Sequence, residues 1–565
     1  MKKTKLLSLM LLVSAASAYA QQYKPFPAGF PSTSAAAVAP ACVRMWEYDT
    51  IANQQTNAPF SGVVVTKEGH ILTVAHTTVP GRTYQVNFPD GRAVIAQALG
   101  KINFPETPEL PDVAMMKILT PGEWPVAPMG TSRTLTPAAP CFSIAYPESL
   151  NDRLPAIRFG YITLPQNEKG FIQSSCMMEP GDSGGALFDY DGKLIGMRSA
   201  VLVEETLNFD VPVDLYRRYW TALNQQVHYT KYPEKTDDVP EPADNTTTTF
   251  TAGMPSPGFN IKPARFADYL VSVTSTGNKG ETVINGALFA HKGGAVVVSK
   301  SSEVGGSPVI TYKNKQVKAK IIARDKENDL VLLMPVTPLK GGIPANAQQF
   351  RSVAGEQLVS PRPDTLPVCS VLAKEVFTLP KMSNTGFLGA AIAPDKTPLV
   401  LTYVMPGSPA AAKGFQPGDE ILAINDVALD QPADYGRELY TYWPGDTLVI
   451  KRRQQAEGLV SGSGGPVPHY TTEMTDTLVL AKRPLPPPQH AADLFKGGRS
   501  ERRDGFNGIF AHDAVLQASQ CGGPVFNVYG AFGGINIARF SRTITLALPA
   551  ATVYSFIDTH LKNGE

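Results

Sequence analysis

Glu179-Pro180-Gly181-Asp182-Ser183-Gly184-Gly185-Ala186-Leu187 sets a serine hydroxyl in a glycine-lined turn. A serine hydroxyl attacks a carbonyl only when a base takes its proton. Glycines at such a turn let backbone approach a substrate, so the N–H groups of Gly181 and Ser183 are expected to face a developing oxyanion. Two upstream segments supply the missing partners. Gly69-His70-Ile71-Leu72-Thr73-Val74-Ala75-His76 ends on His76 just after an apolar run, and Pro111-Asp112-Val113-Ala114-Met115-Met116 carries Asp112 at the head of another. A serine, an imidazole base and an orienting carboxylate together point to acyl transfer through a covalent intermediate. Three unrelated loop residues, or a triad that is present but idle, are the competing readings.

The elements that must hold these groups read as short strands. Gly62–Val65, Ile71–Val74, Val113–Met116 and Cys141–Ile144 are apolar runs bounded by Gly, Pro and Asn, the pattern of buried strands. A helix is expected near Leu215–Trp220. The order His76, Asp112, Ser183 resembles the trypsin/chymotrypsin superfamily. That resemblance implies Ser183 as nucleophile, His76 as general acid/base and Asp112 as the group that orients it. It implies two six-stranded barrels with a closing helix, Met177 near the base of the primary pocket and Ser199-Ala200-Val201 along one wall. An apolar residue on the acyl side of the cleaved bond would follow. In trypsin Asp182 would pair with a newly cut N-terminus, but the chain has no Ile-Val-Gly-Gly activation site.

The pattern then repeats. Gly293-Gly294-Ala295-Val296-Val297-Val298-Ser299-Lys300-Ser301 lies over Glu68–His76, placing Ser301 at the position of His76. Asn328-Asp329-Leu330 lies over Pro111-Asp112-Val113, and Ser519-Gln520-Cys521-Gly522-Gly523 over Gly181–Gly185. The second copy therefore keeps an acid at Asp329, replaces the nucleophile by Cys521 and lacks the base. Without a base or positive neighbour a thiol stays protonated, so this degenerate site is expected to be silent.

The stretch between Asp329 and Cys521 is far longer than its counterpart. It holds Thr385-Gly386-Phe387-Leu388-Gly389, then Gly407-Ser408-Pro409-Ala410, Pro417-Gly418-Asp419 and Ile424-Asn425. These blocks resemble a bacterial PDZ domain, which implies that backbone N–H groups around Phe387, Leu388 and Gly389 receive a terminal carboxylate. A Gly/Ser-rich excursion at Gly458–Pro466 reads as a loop insertion.

Composition narrows the rest. The 565 residues exceed one core, and 48 Gly with 49 Pro suit many short strands. A net charge of +1 offers no field for nucleic acid. Five cysteines (Cys42, Cys141, Cys176, Cys369 and Cys521) are too few for a disulfide scaffold, and a Cys141–Cys176 bridge is left open. No spacing suggests a metal site, and no cofactor is expected. Lys2, Lys3 and Lys5, the apolar run Leu6–Val13 and Ala18-Tyr19-Ala20 read as an export signal. No later segment reads as a membrane span.

Trypsin-like and PDZ blocks behind an export signal resemble the HtrA/Deg proteases. The expected class is mainly β: two chymotrypsin-like double β-barrel domains, the second degenerate, with an inserted PDZ domain. The expected divisions are 1–20 signal peptide, 21–41 lead-in, 42–230 protease, 231–258 linker, 259–380 and 486–565 pseudoprotease, and 381–485 PDZ. The resemblance implies periplasmic or secreted serine endopeptidase activity on unfolded or damaged proteins, peptide C-termini as PDZ partners, and compatibility with a homo-oligomer. Usually one protease domain precedes the PDZ domains, and Asp182 stands where asparagine is common. The alternative is a catalytically silent envelope scaffold built from protease-like folds.

Overall fold

The computed structural model describes residues 32–237 and 266–561, except 278–279, 346, 351, 364, 463–464 and 486. The expected export signal, most of the expected lead-in and residues 238–258 of the expected linker lie outside the described residues.

Among the described residues, four six-stranded rings form. In the first, the strands Ala93–Ile102, Thr83–Asn87, Cys42–Asp49, Phe60–Val64, His70–Thr73 and Val113–Ile118 follow one another, and the first and last pair to close the ring. Thr83–Asn87 alternates half-buried and buried residues, the period of a strand with one face inward. Phe60–Val64 is buried throughout, and the apolar run read from Gly62 to Val65 falls largely within it. The second ring comprises Pro140–Ala145, Ala156–Leu164, Ile172–Ser174, Asn208–Pro212, Leu194–Val201 and Ala186–Asp189. Helices Val213–Arg218 and Trp220–Leu223 follow it.

A second pair of rings repeats this plan. Leu270–Gly277, Gly280–Phe289, Val296–Lys300, Leu330–Pro335, Lys315–Asp325 and Gly306–Tyr312 close one. Gln357–Arg362, Thr365–Leu379, Phe506–His512, Thr545–Pro549, Phe532–Arg539 and Pro524–Asn527 close the other, and helix Ala550–Leu561 ends the chain.

Two compact units result: Met1–Phe377 with Pro488–Ser500 and Gly508–Glu565, and Thr378–Pro487 with Glu501–Asn507. The smaller unit thus interrupts the fourth ring between two of its strands. It also recovers Glu501–Asn507, which the sequence reading gave to the flanking domain. Asp504 supplies the reason: its carboxylate accepts from Ser383 N (2.7 Å), Ser383 Oγ (2.6 Å) and Asn384 N (3.1 Å). Inside this unit, Leu388, Leu401, Phe415, Ile421, Ile424 and Leu448 share a core. Ser408 caps helix Pro409–Ala412 by accepting from Ala411 N at 3.2 Å. The expected loop at Gly458–Pro466 is instead part of a hairpin: Thr447–Gly462 pairs with Gly465–Val479, with Leu459 opposite Pro468 and Ser461 opposite Pro466.

The candidate active site and its counterpart

In the first pair of rings, strand His70–Thr73 runs into a single 3₁₀ turn, Ala75–Thr77, that presents His76. Asp112 directly precedes the neighbouring strand, whose Ala114 pairs with Thr73. Asp112 Oδ2 accepts from the His76 main-chain N–H at 2.8 Å and lies 3.0 Å from His76 Nδ1. One carboxylate oxygen therefore fixes both the backbone and the ring. The other accepts from Ser199 Oγ at 2.9 Å. Burial works against the Asp112 charge, but the His76 and Ser199 hydrogen bonds hold its carboxyl below the ordinary value. Across the ring, His76 Nε2 lies 3.0 Å from Ser183 Oγ. The imidazole side chain is half exposed, at 49%. Substrate and water can reach it.

The turn carrying Ser183 is held from three directions. Asp182 N donates to Glu179 O at 3.1 Å, and Gly181 has φ of +92°. Those are marks of a type II turn. The Pro180 carbonyl of its central peptide accepts from Glu148 N at 2.8 Å. Because a trans peptide sets its C=O and N–H in opposite directions, the Gly181 N–H is turned away from Glu148. Among the described residues, none accepts from the N–H of Gly181 or Ser183.

Ser61 ties the first ring to this turn. Its N–H donates to Ser183 O (2.9 Å), and its Oγ donates to Gly181 O (2.8 Å) and accepts from Tyr146 N (2.9 Å). Gly184 is required sterically: a Cβ there would lie 2.0 Å from Thr73 Oγ1 and 2.2 Å from Ser61 O.

Beneath the turn lies a buried ion pair. Arg158 Nη1 meets Asp182 Oδ2 at 2.5 Å, with both side chains almost fully buried. Asp182 is thus neutralised by a guanidinium from within the chain. Burial disfavours the Arg158 charge, yet Asp182 and Glu179 outweigh it and hold the guanidinium protonated. Sequence reasoning missed Ser61 and Arg158, and gave Ser199 to a pocket wall rather than to Asp112.

The second pair of rings repeats the ladder but not the groups. Ser299 pairs with Val331 as Thr73 pairs with Ala114. Two residues before Val331 is Asp329, and three after Ser299 is Ser302. Asp329 accepts from Ser302 N (2.7 Å) and Ser302 Oγ (2.8 Å), the contacts Asp112 makes to His76. The counterpart of His76 is thus Ser302 and not Ser301, a one-residue correction that the unbroken apolar run Ala295–Val298 concealed. Ser301 Oγ instead accepts from Arg324 at 2.9 Å. Lys300, fully buried, meets Asp329 at 2.9 Å.

Gly522 N donates to Asn536 O as Gly184 N donates to Arg198 O. A Cβ on Gly522 would strike Asn285 O and Ser299 Oγ, as one on Gly184 strikes Ser61 O and Thr73 Oγ1. These matches set Cys521 opposite Ser183. Cys521 is fully buried, and burial pushes its thiol up against a partial offset from Lys300.

In the smaller unit, Phe387 pairs with Ala481, while Leu388 is buried. Gly389 has φ of +79°, and a Cβ there would lie 2.1 Å from Ser408 Cβ. Among the described residues, none accepts from the N–H of Leu388 or Gly389. Arg483 stands over the Phe387 ring at 5.5 Å. Such a pair of open amides suits a carboxylate.

Cys141 and Cys176 are free, buried thiols with their sulfurs 4.0 Å apart, about twice a disulfide bond length. Among the described residues, no group of three or more His, Cys, Asp or Glu converges to hold a metal ion. No described helix is long and apolar enough to cross a membrane.

Comparison with known proteins matches residues 60–197 to the trypsin-like peptidase domain and residues 400–441 to the PDZ domain. Putative serine protease HhoA of Synechocystis sp. is 31% identical over 27% of this chain and 40% of its own length. Serine protease HTRA1 of Xenopus tropicalis is 30% identical over 28% of this chain and 35% of its own. A probable periplasmic serine endoprotease DegP-like of Hahella chejuensis is 24% identical, over 68% of this chain and 75% of that protein. The first two alignments span less than half of those relatives' lengths.

Proposed function

We propose that this chain, which joins a trypsin-like peptidase domain to a PDZ domain and is similar to HtrA/DegP-like serine proteases, is an exported serine endopeptidase. The observation that carries the reading is His76, within 3.0 Å of Asp112 on one side and of Ser183 on the other. His76 Nε2 takes the Ser183 proton as Oγ attacks the scissile carbonyl. The oxyanion of the tetrahedral intermediate is received by the Gly181 and Ser183 N–H groups. His76 then protonates the leaving amine, and water repeats the sequence on the acyl-enzyme. Asp112 holds the tautomer that leaves Nε2 free to accept, and Ser199 holds Asp112.

The second pair of rings takes no part in hydrolysis on this reading. Its carboxylate Asp329 is engaged by Ser302 and Lys300, and the Cys521 thiol is buried and lacks a base. The PDZ unit binds peptide C-termini at Phe387, Leu388 and Gly389, and unfolded proteins are the natural substrate class. The DegP-like relative's periplasmic name supports an extracytoplasmic location.

The test is a fluorophosphonate probe on the purified chain, with Ser183→Ala and Cys521→Ala alongside. Labelling lost only in Ser183→Ala is the expected result. A folded wild type that takes no label, and cleaves no unfolded protein, would favour the silent scaffold.

A further inference from the structure

The second pair of rings touches the first where the substrate must bind. The turn Arg539–Arg542 follows Asn536, the counterpart of Arg198, and so corresponds to the segment Val201–Glu204 of the first pair. The two equivalent segments meet. Arg542, fully buried, donates from Nη1 to Leu202 O (2.7 Å) and Val203 O (3.4 Å), and from Nη2 to Glu204 O (2.9 Å). Three successive carbonyls of one segment are thus fixed by one planar fork, which a flexible ammonium does not reproduce.

That segment follows Ser199, which is bound to Asp112. It includes Leu202 and Val203, apolar residues that are 51% and 52% exposed. An extended substrate lying along it would cover both.

Further contacts reach the oxyanion turn. Glu179, which opens that turn, accepts from Ser149 of the first pair and Ser541 of the second. Asp513 accepts from Phe159 N (2.8 Å) and from Val371 N (2.7 Å), bridging the two pairs next to Arg158. Lys374 pairs with Asp152 nearby. On the first pair these contacts fall on Asp152, Phe159, Glu179 and the carbonyls of 202–204, and Glu179 opens the turn that carries Ser183.

We infer that the second pair of rings is a built-in brace for the first, with Arg542 a positioning residue that holds segment 202–204 in its substrate-binding form. The inference rests on the endopeptidase reading for its kinetic consequence but not for its structural one. Removing Arg542 leaves three carbonyls without their shared donor, and the cost falls on substrate binding rather than on the triad.

The experiment compares full-length wild type, Arg542→Ala and Arg542→Lys with a chromogenic peptide substrate, a small fluorophosphonate and hydrogen exchange. Arg542→Ala is expected to raise KM on the order of tenfold or more, the loss expected for charge-assisted hydrogen bonds. Its kcat and its labelling rate at Ser183 should change little, since the probe does not reach segment 202–204. Arg542→Lys should recover part of the KM, and amides 199–205 should exchange faster in both variants. Wild-type KM and wild-type exchange at 199–205 in a folded Arg542→Ala would overturn the brace. If Arg542→Ala does not fold, unchanged exchange and KM in Arg542→Lys overturn it equally. Absence of labelling and hydrolysis in wild type would instead sink the endopeptidase reading, leaving the exchange result to judge the brace alone.

Discussion

The two pairs of rings build nearly the same cage around different occupants. In the first, a carboxylate at the strand entrance holds an imidazole through its main-chain N–H and Nδ1. In the second, the equivalent carboxylate holds Ser302 through the same main-chain N–H and a hydroxyl. The buried ammonium of Lys300 neutralises it. The difference teaches that the backbone ladder and the glycine turn are maintained by packing, independently of chemistry. A Cβ is excluded at Gly522 as firmly as at Gly184. What separates the two sites is the imidazole of His76, the Lys300 ammonium against Asp329, and the full burial of Cys521 where Ser183 is partly exposed.

The most severe way to break this comparison is at the nucleophiles. Ser183→Ala should lower kcat by about 10⁴-fold or more, while Cys521→Ala should leave it unchanged. Burst and steady-state hydrolysis of one ester substrate would read both. Adding Ser302→His and Cys521→Ser to the Ser183→Ala chain should restore no fluorophosphonate labelling, because Lys300 still holds Asp329 and the site stays buried. Label at position 521 would show that the missing base was the whole difference.

Next in size is the ion pair beneath the turn that carries Ser183. Asp182→Ala leaves Arg158 charged and buried without its partner, so it should cost about 3–5 kcal/mol of stability and most of the hydrolytic rate. Denaturant unfolding and active-site titration measure the two separately. Ser199→Ala should be milder, about tenfold in kcat, the equivalent of one hydrogen bond to Asp112.

The smallest effect concerns two neighbouring buried groups, His512 and Asp513. Burial pushes His512 down to about 4 and Asp513 up to about 6. The neutral His512 loses stability as pH falls from its unfolded range toward 4, because only the unfolded chain takes up the proton. Asp513 has the opposite slope: the fold binds its proton more tightly, so its contribution is lost as pH rises toward 6. The two nearly cancel. Asp513→Asn should therefore expose a loss of stability in acid, and His512→Asn a loss on raising the pH. Melting midpoints across that window decide it, and a flat profile in both variants would contradict the opposing slopes.

Local sequence carried strands of both pairs, because short apolar runs such as Val113–Met116 and Val296–Val298 are buried on both faces and too short for a helix. It carried the turn at Ser183, since glycine is the residue that fits beside Thr73 and Ser61. It carried the inserted unit through its capped turns, Ser408 among them. Register was less legible. A run of valines has no internal mark, so the alignment slipped from Ser302 to Ser301 until the strand ladder fixed it.

What only tertiary structure decided are pairings between residues far apart in the chain. Nothing local announces that Arg158 neutralises Asp182, that Ser199 supports Asp112, or that Ser61 clamps the nucleophile turn. The same holds for Arg542 and the carbonyls of 202–204, which are separated by more than half of the chain. Chemistry-bearing residues are fixed by type and by the turn they sit in, and those are written locally. Their partners are fixed by which surfaces the closed barrels bring into contact, and a buried charge accepts any partner the packing delivers.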